Sequence, residues 1–128
     1  MYITITSIIK HDPDEILVEY STPYGGGISK FMGTPPKENQ KYDVELNIDD
    51  DFFWGENLTL SKKNAPSILF NSGKTYITAE LIAIEDDGGG VLKIGDSILL
   101  ISIENKNQVL PAFVDIISQD ISLHPTNI

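Results

Sequence analysis

The residues best suited to chemistry are Asp49-Asp50-Asp51-Phe52-Phe53-Trp54-Gly55-Glu56. Three carboxylates run into three aromatics, Gly55 permits a sharp turn, and Glu56 adds a fourth acid. Successive side chains of a strand point to opposite faces, so three consecutive aromatics cannot share one core. At least one ring must be exposed or lie on an irregular turn. Trp54 is the only tryptophan of the chain, and aromatic residues are enriched among the anchors of protein interfaces. The segment predicts a partner-binding surface on which Asp49, Asp50, Asp51 and Glu56 steer the encounter while Phe53 and Trp54 anchor it. The competing structural reading has Phe52 and Trp54 capping one end of a barrel, with Phe53 packed beneath a loop.

Other constellations fail on spacing. Gly73-Lys74-Thr75 resembles the tail of a phosphate-binding loop, but Ile68 stands where that loop needs its first glycine, and a strand follows where a helix should open. Read as an EF-hand from Asp49, the chain places Phe53 at position five, Trp54 at six and Leu60 at twelve, where an oxygen ligand, a glycine and a glutamate belong. His11 and His124 are the only histidines and there is no cysteine, so zinc would need both histidines and carboxylates gathered by the fold. No nucleophile-elbow serine is present. Glu80, Glu85, Asp86 and Asp87 read as a solvated edge. Asn57-Leu58-Thr59 matches a glycosylation sequon, which has no use without a secretory route. No catalytic residue, metal or cofactor is expected, and the chain is not expected to be an enzyme.

Charge limits the partner. Nineteen acidic residues face nine basic ones, all lysine, for a net charge of −10. Nucleic-acid binding is driven by Lys and Arg contacts to phosphate, so this chain would be repelled. It also lacks the guanidinium fork that reads phosphate and guanine. A basic protein is the natural counterpart, because opposite fields speed association. The opening MYITITSIIK alternates apolar residues with Thr rather than forming a signal peptide, and no apolar run approaches the ~20 residues of a bilayer span. A cytoplasmic location without membrane contact is expected.

The elements that must position these residues read as strands. Tyr2 to Thr6 alternates with period two, a turn follows at His11-Asp12-Pro13-Asp14, and Ile16 to Tyr20 returns. Tyr24 to Gly27 turns into Ile28 to Phe31, and Thr34-Pro35-Pro36 ends that hairpin. Tyr42 to Ile48 alternates cleanly, with Val44, Leu46 and Ile48 inward. After the linker Ser61 to Pro66, Tyr76-Ile77-Thr78 echoes Tyr2-Ile3-Thr4 at a spacing of 74. Val91 to Ile94, Ile98 to Ile103, Val114 to Ile116 and the pair Ile121, Leu123 follow, with a single helical turn expected over Asn105 to Val109. The prediction is one compact all-β domain over 1–128, a small antiparallel barrel or sandwich. The matching halves, 1–62 and 74–128, read either as an internal duplication or as independent β-patterning.

The stretch Tyr42 to Asp50 leading into Phe53-Trp54-Gly55, together with the acidic balance and all-β build, resembles small bacterial immunity proteins, which neutralise contact-dependent or polymorphic secreted toxins. The resemblance rests on about a dozen residues and implies a role rather than an architecture: inhibition of a cognate, basic toxin domain by covering its active site, with no catalytic residues of its own. Two alternatives of other classes stand beside it. One is a carbohydrate- or small-ligand-binding barrel using Trp54, Tyr24 and Tyr42 as stacking platforms. The other is a structural module that oligomerises through exposed apolar positions.

Overall fold

In the computed structural model, which describes residues 1–104 and 106–126, every regular element is a strand. In chain order these are β1 (Tyr2–Asp12), β2 (Glu15–Thr22), β3 (Gly25–Phe31), β4 (Lys41–Ile48), β5 (Asp51–Phe52), β6 (Leu58–Leu60), β7 (Ser67–Asn71), β8 (Lys74–Ile84), β9 (Gly89–Ile94), β10 (Ser97–Ile103), β11 (Ala112–Ser118) and β12 (Ile121–Pro125). Asn105 lies outside the described residues, and Lys106 to Val109 carries no helix, so the expected helical turn has no counterpart there. The short strands β5, β6 and β7 fill the stretch where the sequence pattern showed only a motif and a linker.

β1 pairs antiparallel with β2 and β4, β2 with β3, and β12 closes the circle, antiparallel to β4 and parallel to β3. The result is a closed five-stranded barrel in the order β1-β2-β3-β12-β4, a Greek-key arrangement of the OB type. Its inward positions follow the period of two: Ile3 and Ile5, Val18 and Tyr20, Val44, Leu46 and Ile48, Ile121 and Leu123 are all buried. The sequence left barrel and sandwich open, and the closure of β12 onto β3 decides for the barrel.

The rest of the chain repeats this plan with one exchange. β8 pairs with β11 and β9, β9 with β10, β10 takes β5 in parallel, and β11 takes β6 antiparallel. β5 and β6 together fill the fifth position of a second ring. The parallel pairs Lys30↔Ser122 and Phe31↔Leu123 of the first ring match Ser102↔Asp51 and Ile103↔Phe52 of the second. Each ring is thus completed by a segment from the other half: β5 and β6 follow β4, whereas β12 follows β11. The two-residue turns Pro23-Tyr24 and Gly95-Asp96 are 72 residues apart, and the bulges after Ile5 and Leu81 are 76 apart. The Tyr-Ile-Thr echo at 74 therefore lies out of step with the structural correspondence by two residues.

β7 joins the two rings. It pairs antiparallel with β8 and meets β3 at one point, Gly25↔Ile68, where the Ile68 N–H donates to the Tyr24 carbonyl at 2.9 Å. Gly25 has φ +128, and a Cβ there would lie 1.9 Å from the Ile68 carbonyl oxygen. Gly33 also has positive φ, at +89, but nothing lies within 4 Å of its Cβ position. Gly33→Ala should therefore lose only about 1–2 kcal/mol of stability, through the backbone strain that a Cβ introduces at positive φ. Gly25→Ala adds a backbone collision and should lose about 1–3 kcal/mol more. Urea unfolding of the two variants measures the difference, and equal losses would show that the β3–β7 junction does not need the glycine.

Candidate functional site

The acidic-aromatic segment lies where the chain passes from the first ring into the second. Phe52, on β5, is 1% exposed, whereas the next residue, Phe53, is 46% exposed. Strand alternation produces this split, and it settles which of the three rings faces water. Trp54 swings back and packs half-buried against the core. Its indole N–H donates to the Glu104 carbonyl at 3.1 Å, its backbone N–H reaches the Glu104 carboxylate at 3.3 Å, and the Lys106 ammonium lies 5.1 Å from the ring centroid.

Asn57 fixes the turn between β5 and β6. Its side-chain amide donates to the Asp51 carbonyl at 2.9 Å and accepts from the Phe53 N–H at 2.8 Å. The Gly55 N–H donates to the Leu58 carbonyl and the Glu56 N–H to the Phe53 carbonyl, and Gly55, at φ +85, supplies the left-handed step. Such a turn presents Phe53 without the ordering penalty of a loose loop.

The structure corrects two of the expected site residues. Asp50 does not stand on the rim: its carboxylate accepts from the Ser118 hydroxyl, from the Gln119 N–H at 2.9 Å and from the Asp120 N–H at 3.3 Å. The side chain is consumed in capping the turn between β11 and β12. Trp54 is likewise committed, one side to the core and its N–H to Glu104. Asp49, Asp51, Phe53 and Glu56 remain exposed. Among the described residues the ion pairs are Met1 with Asp43 and Lys10 with Asp12 and Glu15, all on the first ring, so these exposed acids have no cationic partner there. Tyr24 and Tyr42, the other expected stacking platforms, are half-buried. Tyr42 packs edge-on against Phe31 at 5.6 Å and accepts the Lys37 N–H, and Tyr24 abuts Gly95. Neither offers a free platform beside Trp54.

A groove that sequence reasoning missed adjoins the turn. β6 flanks β11, and β7 flanks β8 on the other side, so the connection Ser61 to Pro66 must cross over the β11–β8 pair. Beside this crossing lies a concavity of about 220 Å³, lined by Glu56, Asn57, Thr59, Lys63, Ser67, Leu69, Tyr76, Thr78 and Asp115, with Ile117 at one end. The strand registers set its walls in two rows, Leu69-Tyr76-Ile117 and Ser67-Thr78-Asp115-Thr59. The Thr78 hydroxyl, buried at 2% exposure, donates to Asp115 Oδ1 at 2.6 Å. In sequence the only hint was an acid, Asp115, between Val114 and Ile116. Among the described residues no group of three or more His, Cys, Asp and Glu is placed to hold a metal ion, and the His124 Nε2 lies 2.9 Å from the Ser122 hydroxyl.

Asp49 and Asp50 differ sharply in surroundings despite their adjacency. Asp50→Ala should lose about 1–2 kcal/mol, because it leaves the buried Ser118 hydroxyl without its acceptor and frees the exposed Gln119 N–H to water, while the Asp120 N–H keeps Ser118 Oγ at 3.2 Å. Asp49→Ala should stay within about 0.5 kcal/mol of the parent. Denaturant midpoints test the pair, and an Asp50 variant as stable as the Asp49 variant would refute the capping role.

Comparison with protein-family profiles, with curated proteins and with solved structures finds no match to this chain, so function must be argued from these side chains and their geometry.

Proposed function

We propose that this chain is a protein-binding inhibitor of the immunity type, which docks its acidic-aromatic turn on a cationic domain of a toxin and covers that domain's active site. One observation carries the reading. Phe53 stands 46% exposed on a turn clamped by Asn57, with Asp51 and Glu56 on the same turn, Asp49 just before it, and no cation paired to them among the described residues. An unpaired acid on the rim contributes chiefly to the rate of encounter, whereas a presented aromatic contributes to residence. The net charge of −10 works in the same direction as the local acids.

The sugar-binding alternative loses support because its three platforms are packed into the two rings rather than gathered on one surface. An oligomerisation role would use exposed apolar positions, and Phe53 alone among them is framed by acids on a fixed turn.

The test needs the toxin domain of a secreted protein encoded beside the gene, and a neighbourhood without such a gene would itself count against the reading. A triple variant, Asp49→Lys with Asp51→Lys and Glu56→Lys, should associate with that domain at least about tenfold more slowly at low salt, with the gap closing as ionic strength rises. Phe53→Ala should leave association nearly unchanged and speed dissociation by about thirtyfold, the equivalent of a 2 kcal/mol anchor. Stopped-flow or surface-based kinetics give both rates. Parental association by the triple variant at low salt, or parental dissociation by Phe53→Ala, would overturn the proposal.

A further inference from the structure

We infer that the groove beside the Ser61 to Pro66 crossing is a socket for one arginine side chain of the partner protein. The inference rests on the protein-binding reading above and deepens it by naming the chemical group recognised.

Size is the first argument. About 220 Å³ falls below the roughly 300–1,000 Å³ of pockets built for whole small molecules, and suits a single long side chain. The lining is the second. Leu69, Tyr76 and Ile117 form one apolar row, the surface on which the methylenes of a long cationic side chain lie down. Asp115 belongs to the parallel row and receives the Thr78 hydroxyl on Oδ1 at 2.6 Å, which fixes its carboxylate. Oδ2 has no hydrogen bond among the described residues. A guanidinium can donate to both carboxylate oxygens in its planar fork while its flat face meets Tyr76, which an ammonium cannot match.

Charge is the third argument. Lys63 lines the groove, yet it forms no ion pair with Asp115 or Glu56 among the described residues. The lining sets two acids, Glu56 and Asp115, against the single base Lys63, so its charge favours a cation, and a guanidinium adds an ion pair at Asp115 against the weaker repulsion of Lys63. Continuity is the fourth. Glu56 and Asn57 line the groove and also belong to the turn that presents Phe53. A partner seated on Phe53 is at the mouth of the socket.

The test is an NMR titration of the full chain with Nα-acetyl-arginine methylamide, and in parallel with the lysine compound and with the neutral citrulline compound, close in shape to arginine. Saturable shifts are expected at the amides of Thr59, Tyr76, Thr78, Asp115 and Ile117. The arginine compound should bind at least about threefold tighter than the lysine compound, and citrulline should give no saturation. Asp115→Asn, which keeps an oxygen for the Thr78 hydroxyl, should abolish the response. Exposed Glu56→Gln, which cannot disturb the fold, should weaken it about twofold to threefold. Citrulline binding as well as arginine, shifts confined to other surfaces, or no saturable shift would each overturn the socket. The titration contains no toxin domain, so it reads the socket independently of docking at the rim. Rim failure with a working socket would thus sink only the docking proposal, and the reverse result would sink only the socket.

Discussion

The interaction on which the rest of the structure depends is the cluster of hydrogen bonds around Asp50. Two segments cross there: residues 48–51 leave the first ring for the second, and residues 118–121 travel the other way. Ile48 pairs with Ile121, the Asp49 N–H donates to the Asp120 carbonyl at 3.0 Å, and the Asp50 carboxylate gathers the Ser118 hydroxyl with the N–H groups of Gln119 and Asp120. This lacing fixes the angle at which each exchanged segment leaves its own half, and the ladders of β12 and of β5 with β6 then complete the fifth side of each ring. An open ring exposes unpaired strand edges, the liability that closure removes.

The exchange also explains why the candidate site has its shape. The fifth side of the first ring is one continuous strand, β12, which serves both β3 and β4. The fifth side of the second ring must pair parallel with β10 through Asp51-Phe52 and antiparallel with β11 through Leu58 to Leu60. Five residues intervene, and they leave the ladder as a turn instead of continuing it. Alternation already turns Phe53 away from the core that holds Phe52, and the turn, clamped by Asn57, fixes it in that outward position.

Much of the fold was legible in the sequence, and much of the site was not, for one physical reason. Alternation is a local signal, and Tyr42 to Ile48, with Val44, Leu46 and Ile48 inward, or Ile98 to Ile103, announce themselves over a handful of residues. The argument that three consecutive aromatics cannot share a core rests on the same geometry and holds for Phe52 and Phe53. By contrast β5 and β6 span two and three residues, too few to show a period. Asp50 looked identical to Asp49 and Asp51 because its partners lie 68 to 70 positions away. The groove depends on pairings of Thr59 with Asp115 and of Leu69 with Tyr76, which strand order alone brings together.

Division of labour follows from the surroundings of each acid. A carboxylate that satisfies buried donors, as Asp50 does, stabilises the fold and is lost to a partner. An exposed carboxylate, as on Asp49 or Asp51, contributes little to stability and projects its field into solvent. Asp115 is intermediate: half-buried, tied on one oxygen to Thr78 and open on the other. Desolvation makes an ionic contact at such a site stronger and a mismatch more costly than at the rim. On the proposed reading, discrimination between partners belongs to the groove and speed of encounter to the rim, and the common frame that keeps both in register is the crossing at Asp50.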